Sequence, residues 1–193
     1  AQNPILRIEK GMAFVTENRR EEGLFMEFSI FDNLNLVSLK QSKKIMNMID
    51  RKKVVRQVQQ SRDTLRIKCD DVRQPVKSLS GGNQQKVVIG KWLISKPEFL
   101  IVDEPTRGID VGAKSEIYHI INKLVKDGIG ALVISSEMEE LMGICNRIIV
   151  MKQGEVTGSL SHREFSQESI VSLAFARTSA DLCRGEEKTD ERK

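Results

Sequence analysis

Apolar positions along the chain change their spacing several times, and each change predicts a different element. Residues 12–15, Met-Ala-Phe-Val, form a short apolar run after Gly11 that predicts a buried strand. The polar stretch 16–22, closed by Gly23, predicts a loop. Over 28–39 apolar residues recur irregularly, and Asp50 then stands as a cap before Val54, Val55, Val58 and Leu65. That spacing predicts an amphipathic helix, with Arg51, Lys52, Arg56 and Arg62 on its wet side. The whole middle stretch reads as helical, without a strong strand signal.

The pattern changes at Leu79. Ser80, Gly81 and Gly82 predict a flexible polar turn, and 83–94 a helix that turns Val87, Val88 and Trp92 inward. Pro97 ends that segment before the apolar run 99–102, which predicts a buried strand followed directly by Asp103 and Glu104. A helix over 111–126, with Ile117, Ile120, Ile121 and Leu124 on one face, leads to a second buried strand at 131–134. A short helix over 137–142, a strand over 147–151, a turn at 152–154 and an extended piece at 155–157 follow. Strand, helix, strand, helix predicts a parallel α/β arrangement. The remainder holds one helix around 169–176 and a polar end, 184–193, expected to be disordered.

Composition narrows the role without choosing it. The 193 residues are 39% hydrophobic and 30% charged, enough for a well-buried core, and no run approaches the roughly 20 apolar residues of a membrane span. A net charge of +4 permits anionic partners. Charges of both signs are interspersed and aromatics are only 5%, which argues against a nucleic-acid surface. Cys69, Cys145 and Cys183 lack the close pairs of a zinc site or disulfide framework and fit reduced, inert thiols. The sequence opens at Ala1 without an initiator Met, which fits a fragment, a processed form or a trimmed version.

Two features can carry chemistry. A carboxylate at the end of a buried strand, such as Asp103, can hold magnesium beside a nucleotide phosphate, and Glu104 can orient or deprotonate a water. As ordinary residues before Pro105 they need do neither. In 79–85, Leu-Ser-Gly-Gly-Asn-Gln-Gln, adjacent glycines let backbone approach an anion, Ser80 offers a hydroxyl, and the following helix aims its unpaired N–H groups at the same place. Without context this is also an ordinary loop and helix cap.

Taken in order, LSGGNQQ and then FLIVDEPTRGID resemble the signature motif, Walker B strand and D-loop of ABC ATPases. FVTENRREEG at 14–23, SLSGGNQQKVVIGKWL at 78–93, VDEPTRGIDVGAKSEIY at 102–118 and ISSEMEELMGICNRIIVMKQGEVTG at 134–158 sharpen the likeness. They resemble the second nucleotide-binding domain of the tandem ABC proteins that power bacterial monosaccharide importers of the ribose, galactose/methyl-galactoside, arabinose and xylose group. FVTE and IGKW lean toward the galactoside type. The resemblance covers about 11–158 and implies an α/β, P-loop NTPase-like domain with a parallel-rich core sheet and a helical subdomain.

It further implies ATP and Mg2+ as ligands, and site residues one by one. Asp103 matches the aspartate near magnesium and Glu104 the catalytic glutamate. Ser80, Gly81, Gly82 and Asn83 match signature residues that meet ATP held mainly by the opposite domain, and Asp110 the D-loop aspartate at the same interface. The implied partners are a companion nucleotide-binding domain, transmembrane permease subunits and, indirectly, a periplasmic sugar-binding protein. The implied location is the cytoplasmic face of the bacterial inner membrane. The parts are a partial core with the Q-loop region (1–23), a helical subdomain with the signature (24–95), an α/β core with Walker B, D-loop and switch (96–160), and a helix with a polar tail (161–193).

Three departures qualify the match. No GxxxxGK[ST] phosphate loop occurs in the sequence, so the reading is of a domain truncated upstream and lacking its Walker A segment. Glu17 stands where most such domains place the Q-loop glutamine; a carboxylate can approach a metal but donates no amide hydrogen. Ser136 stands in place of the switch histidine and lacks imidazole's reach and charge. His119 and His162 read as surface residues. The expectation is asymmetric: poor hydrolysis at this domain's own site, with an intact signature completing the companion's site, and little activity from the chain alone. A non-transport ABC ATPase and a nucleotide-incompetent interaction or regulatory piece remain open alternatives.

Overall fold

A computed structural model describes residues 3–37 and 50–176. Cys183 and the polar end 184–193 lie outside the described residues. The chain divides into two compact units, Ala1–Ile134 and Ser135–Lys193.

The first unit is organised on a three-stranded parallel sheet of β1 (Met12–Val15), β2 (Phe99–Asp103) and β3 (Gly130–Ile134), with β2 in the centre. The register sets Val15 against Val102 and Asp103 against Ile134. Ala13, Val15, Leu100 and Val102 are buried on one face, but Phe14, Leu132 and Ile134 are 43–45% exposed. The sequence reading of β3 as a buried strand is therefore corrected. A continuous apolar run predicts cover on both faces, whereas β3 is an end strand and the packed core lies on one side of the sheet only.

Among the described residues five α-helices belong to this unit: α1 (Pro4–Glu9), α2 (Ile30–Asn35), α3 (Arg51–Thr64), α4 (Gly81–Leu93) and α5 (Val111–Lys126). Asn3 caps α1 ahead of a proline at its first position, and Ser29 caps α2. Asp50 caps α3 as expected, through the Lys53 N–H at 3.2 Å. Val54, Val58 and Leu65 are buried there, but Val55 is 42% exposed, being one residue off the stripe. The stretch 16–22 is not wholly irregular, since Arg19–Gly23 form a single π-helical turn. Asn33, 1% exposed, ties 25–29 down: its Oδ1 accepts the Phe25 N–H at 2.8 Å, and its Nδ2 donates to the carbonyls of Phe25 and Ser29, each at 3.0 Å.

Helix α4 is the spine of the unit, buried almost throughout from Gly82 to Lys91. It carries two buried lysines. Lys86 Nζ pairs with Glu116 at 2.6 Å, linking α4 to α5 and holding the Glu116 carboxyl below its usual range. Lys91 has no carboxylate partner among the described residues; its Nζ donates to the Gly23 carbonyl, and burial lowers its pKa from 10.5 to about 8. Between those values the folded chain holds fewer protons than the unfolded one, so this group makes stability rise with pH. Unfolding titrations at a series of pH values should therefore show wild type gaining on Lys91→Met as pH climbs from about 8 towards 10.5. A constant offset between the two would contradict the buried charge.

In the second unit α6 (Met138–Ile144), β4 (Arg147–Lys152), β5 (Glu155–Ser161) and α7 (Gln167–Ala174) enclose a core of Ile148, Val150 and Ile170. The strands form an antiparallel hairpin, so the parallel arrangement expected from the sequence holds for β1 to β3 alone. Gln153 and Gly154, with φ of 51° and 85°, make the tight turn whose twist matches the strands. Pairing extends β5 to Ser161, beyond the extended piece expected at 155–157. Cys69 and Cys145 are free, and burial raises both thiols, which keeps them protonated and inert.

Candidate functional site

Three segments of the first unit meet at one end of the sheet: the exit from β1, the loop after β2 and the first turn of α4. Asp103 ends the central strand, half-buried, and the chain bends sharply at Glu104, which adopts φ of 44°. Left-handed backbone is unfavourable for a residue with a Cβ. The Glu104 N–H nevertheless donates to the Ile134 carbonyl at 2.9 Å, anchoring the bend to the end of β3. Beyond it Thr106 is 1% exposed, Gly108 takes φ of 65°, and Asp110 caps α5 by accepting the Ala113 N–H at 2.9 Å.

Helix α4 begins at Gly81, not at residue 83, so the expected flexible turn is corrected to the first helical turn itself. Ser80 is the capping residue, yet its side chain caps no N–H of that turn. Its exposed hydroxyl instead accepts from the Asn83 amide at 3.0 Å, while Asn83 Oδ1 accepts the Lys68 N–H at 2.9 Å. A helix start without a side-chain cap keeps backbone donors and the positive end of the helix available to an anion. The two glycines have steric reasons. A Cβ on Gly81 would lie 2.8 Å from Arg19 Nη2, and one on Gly82 would lie 2.6 Å from the Ala113 Cβ.

The β1 exit contributes Glu17, whose carboxylate pairs with the Arg107 guanidinium, and Arg19, whose guanidinium lies beside Gly81. A cavity of about 530 Å3 is lined by Glu17, Arg19, Arg107 and Gly108 among others. Ser136, exposed and two residues past β3, belongs to the second unit. The first unit thus carries Glu17, Ser80, Gly81, Gly82, Asn83, Asp103, Glu104 and Asp110, and its contacts join Glu17 to Arg107 and the Gly81 turn to Arg19 and Gly108. Sequence reasoning gave no role to Arg19 or Arg107, although both arginines stand inside the quoted motifs; only long-range contacts reveal what they hold.

Among the described residues no group of three or more His, Cys, Asp or Glu side chains could hold a metal ion. With Glu17 engaged by Arg107, Asp103 is the one carboxylate of the expected pair not tied up in that ion pair. Such a donor set suits magnesium that arrives on nucleotide phosphates and keeps much of its water, rather than an all-protein cage.

A parallel sheet with paired carboxylates at the end of its central strand, beside an open glycine-led helix start, defines an ATP-binding cassette type of domain. The ABC transporter family model matches residues 2–107, and the chain belongs to that family. The fold is also that of a nucleotide-free ATP-binding cassette from an ABC transporter, with a TM-score of 0.74 at 18% identity, covering 91% of this chain and 73% of that one. The xylose import ATP-binding protein XylG of Geobacillus kaustophilus is 47% identical over 90% of this chain and 34% of its own length. The ribose import ATP-binding protein RbsA of Lactococcus lactis subsp. lactis is 46% identical over 89% of this chain and 35% of its own length. The galactose/methyl galactoside import ATP-binding protein MglA of Clostridium perfringens is 44% identical over 89% and 33%. The chain spans about a third of the length of these relatives.

Proposed function

We propose that this chain is part of the C-terminal nucleotide-binding domain of a tandem ABC ATPase that couples ATP binding and hydrolysis to monosaccharide import. The observation that carries the proposal is the uncapped start of α4 beside the Glu104–Asp110 loop, in a chain 44–47% identical to sugar-import ATP-binding proteins. Relatives named for different sugars match about equally, so the proposal covers monosaccharides as a class.

In this reading Ser80, Gly81, Gly82 and Asn83 meet the terminal phosphate of an ATP held mainly by a companion nucleotide-binding domain, and Asp110 lies at the shared interface. Asp103 would help to hold magnesium brought in on the nucleotide, and Glu17 is the second carboxylate that could approach it. Glu104 orients the attacking water, and Ser136 is a weak substitute for a switch histidine. The phosphate-loop half of the site comes from residues outside this chain. The open sheet face of Phe14, Leu132 and Ile134 supports that view, because an apolar layer of this kind calls for further cover.

No described helix is long and apolar enough to cross a membrane; on the strength of the sugar-import relatives the proposal places the ATPase on the inner membrane's cytoplasmic face through its permease. Residues 24–95 serve as the helical subdomain that meets the permease, and Phe25 and Phe28 support this: both are more than half exposed, and their rings stack at 5.3 Å. The test is direct nucleotide titration of the chain and of the protein extended upstream. Magnesium-dependent ATP binding is expected only for the extended form. Tight binding by the chain alone would overturn the proposal.

A further inference from the structure

Arg19 is 9% exposed, and no carboxylate pairs with it among the described residues. Its charge is instead spread over backbone carbonyls: Nη1 donates to the Arg107 carbonyl at 2.6 Å and Nη2 to the Gly108 carbonyl at 3.0 Å. Burial lowers its pKa, with Arg20 adding to the effect, and Nε is buried without a hydrogen-bond partner. A charge kept this dry without a counter-ion is expensive, so its retention calls for a role beyond filling space.

The geometry says what the guanidinium holds. Arg19 opens the π-helical turn at the β1 exit, a rare local geometry often found at functional sites. Its two Nη groups grip the loop between Glu104 and Asp110 at the point where Gly108 turns left-handed. Its Nη2 occupies the space that a Cβ on Gly81 would take, 2.8 Å away, against the first turn of α4. The clasp is doubled, because the Arg107 side chain returns to pair with Glu17, two residues before Arg19. A planar fork can serve two carbonyls at fixed separation, whereas a lysine is a single point charge.

We infer that Arg19 is a positioning residue that locks the Ser80-Gly81-Gly82 turn against the Glu104–Asp110 loop and so sets the geometry in which the signature turn meets a phosphate. The inference rests on the proposed function. It differs from a packing role in one respect: a displaced turn weakens stabilisation of the transition state at the companion's site, while ATP binding there, made mainly by other residues, changes little.

The test uses the full-length ATPase with its transport partners and compares wild type, Arg19→Lys and Arg19→Ala. Arg19→Lys is expected to keep its melting temperature within about 3 °C and its ATP affinity within about twofold, and to lose at least about tenfold in kcat, the scale of a misplaced catalytic group. Guanidinium ion at low millimolar concentration is expected to restore part of the lost kcat to Arg19→Ala and to leave wild type unchanged. The inference is overturned if Arg19→Lys keeps more than half of kcat, if its loss matches a loss of folded protein, if either variant fails to fold, or if guanidinium restores nothing. Absence of ATPase activity in wild type itself would instead sink the functional reading on which the inference stands.

Discussion

Ser80→Arg in the full-length ATPase is expected to lower transport-coupled ATP turnover by on the order of a hundredfold, the scale of removing a preorganised anion-stabilising group. Glu104→Gln is expected to cost about threefold or less. Ser80 sits exposed at the head of α4, where its side chain caps no backbone N–H. An arginine there adds bulk over the donors and a positive charge at the end of the helix that already carries one. The fold should not notice, since nothing buried is displaced. The mild effect at Glu104 follows from the proposed asymmetry, in which Glu104 would serve this domain's own, poorly hydrolysing site. Measuring turnover in both variants decides the matter, and the reverse ranking would remove the asymmetric reading.

Gly90→Ala is expected to destabilise the chain by about 1–3 kcal/mol, although alanine is the better helix former. Gly90 lies where α4 passes closest to α2 and to the end of α3. An added Cβ would lie 2.7 Å from Leu34 Cδ2, 2.8 Å from Ser61 Oγ and 2.9 Å from Leu65 Cδ1. All three neighbours are themselves at most 9% exposed, so none can swing into solvent to make room. The helix-propensity gain of about 1 kcal/mol is thus outweighed by overpacking on three sides. Denaturant unfolding should show a lower midpoint with an unchanged slope. A stabilised Gly90→Ala would mean that these helices do not approach as closely as described.

Elements whose pattern is local were legible in the sequence. The Asp50 cap and the 3.6-residue spacing located α3, the apolar runs located β1 to β3, and the order of motifs pointed to the carboxylate pair and the glycine-led helix. Of the two short helices α1 escaped notice and α2 was covered only by the helical reading of the whole middle stretch, without bounds, because six residues carry less than two turns of periodicity. Their caps were nonetheless visible: Asn3 before Pro4, and Ser29 three residues before Asp32. The exposure of β3 went unseen for a different reason. An apolar run reports what a strand can bury, and what lies over it depends on other segments.

By itself the sequence determined the identity and order of the chemistry-bearing residues, since strand alternation, helix period and capping depend on neighbours a few positions apart. Tertiary structure alone decided which of them meet. It brought Arg19 across 88 and 89 residues of chain to the Arg107 and Gly108 carbonyls, turned Glu17 toward Arg107, and packed Gly82 on Ala113. Such contacts leave no periodic trace, because they depend on where distant segments are held by the sheet and the buried face of α4.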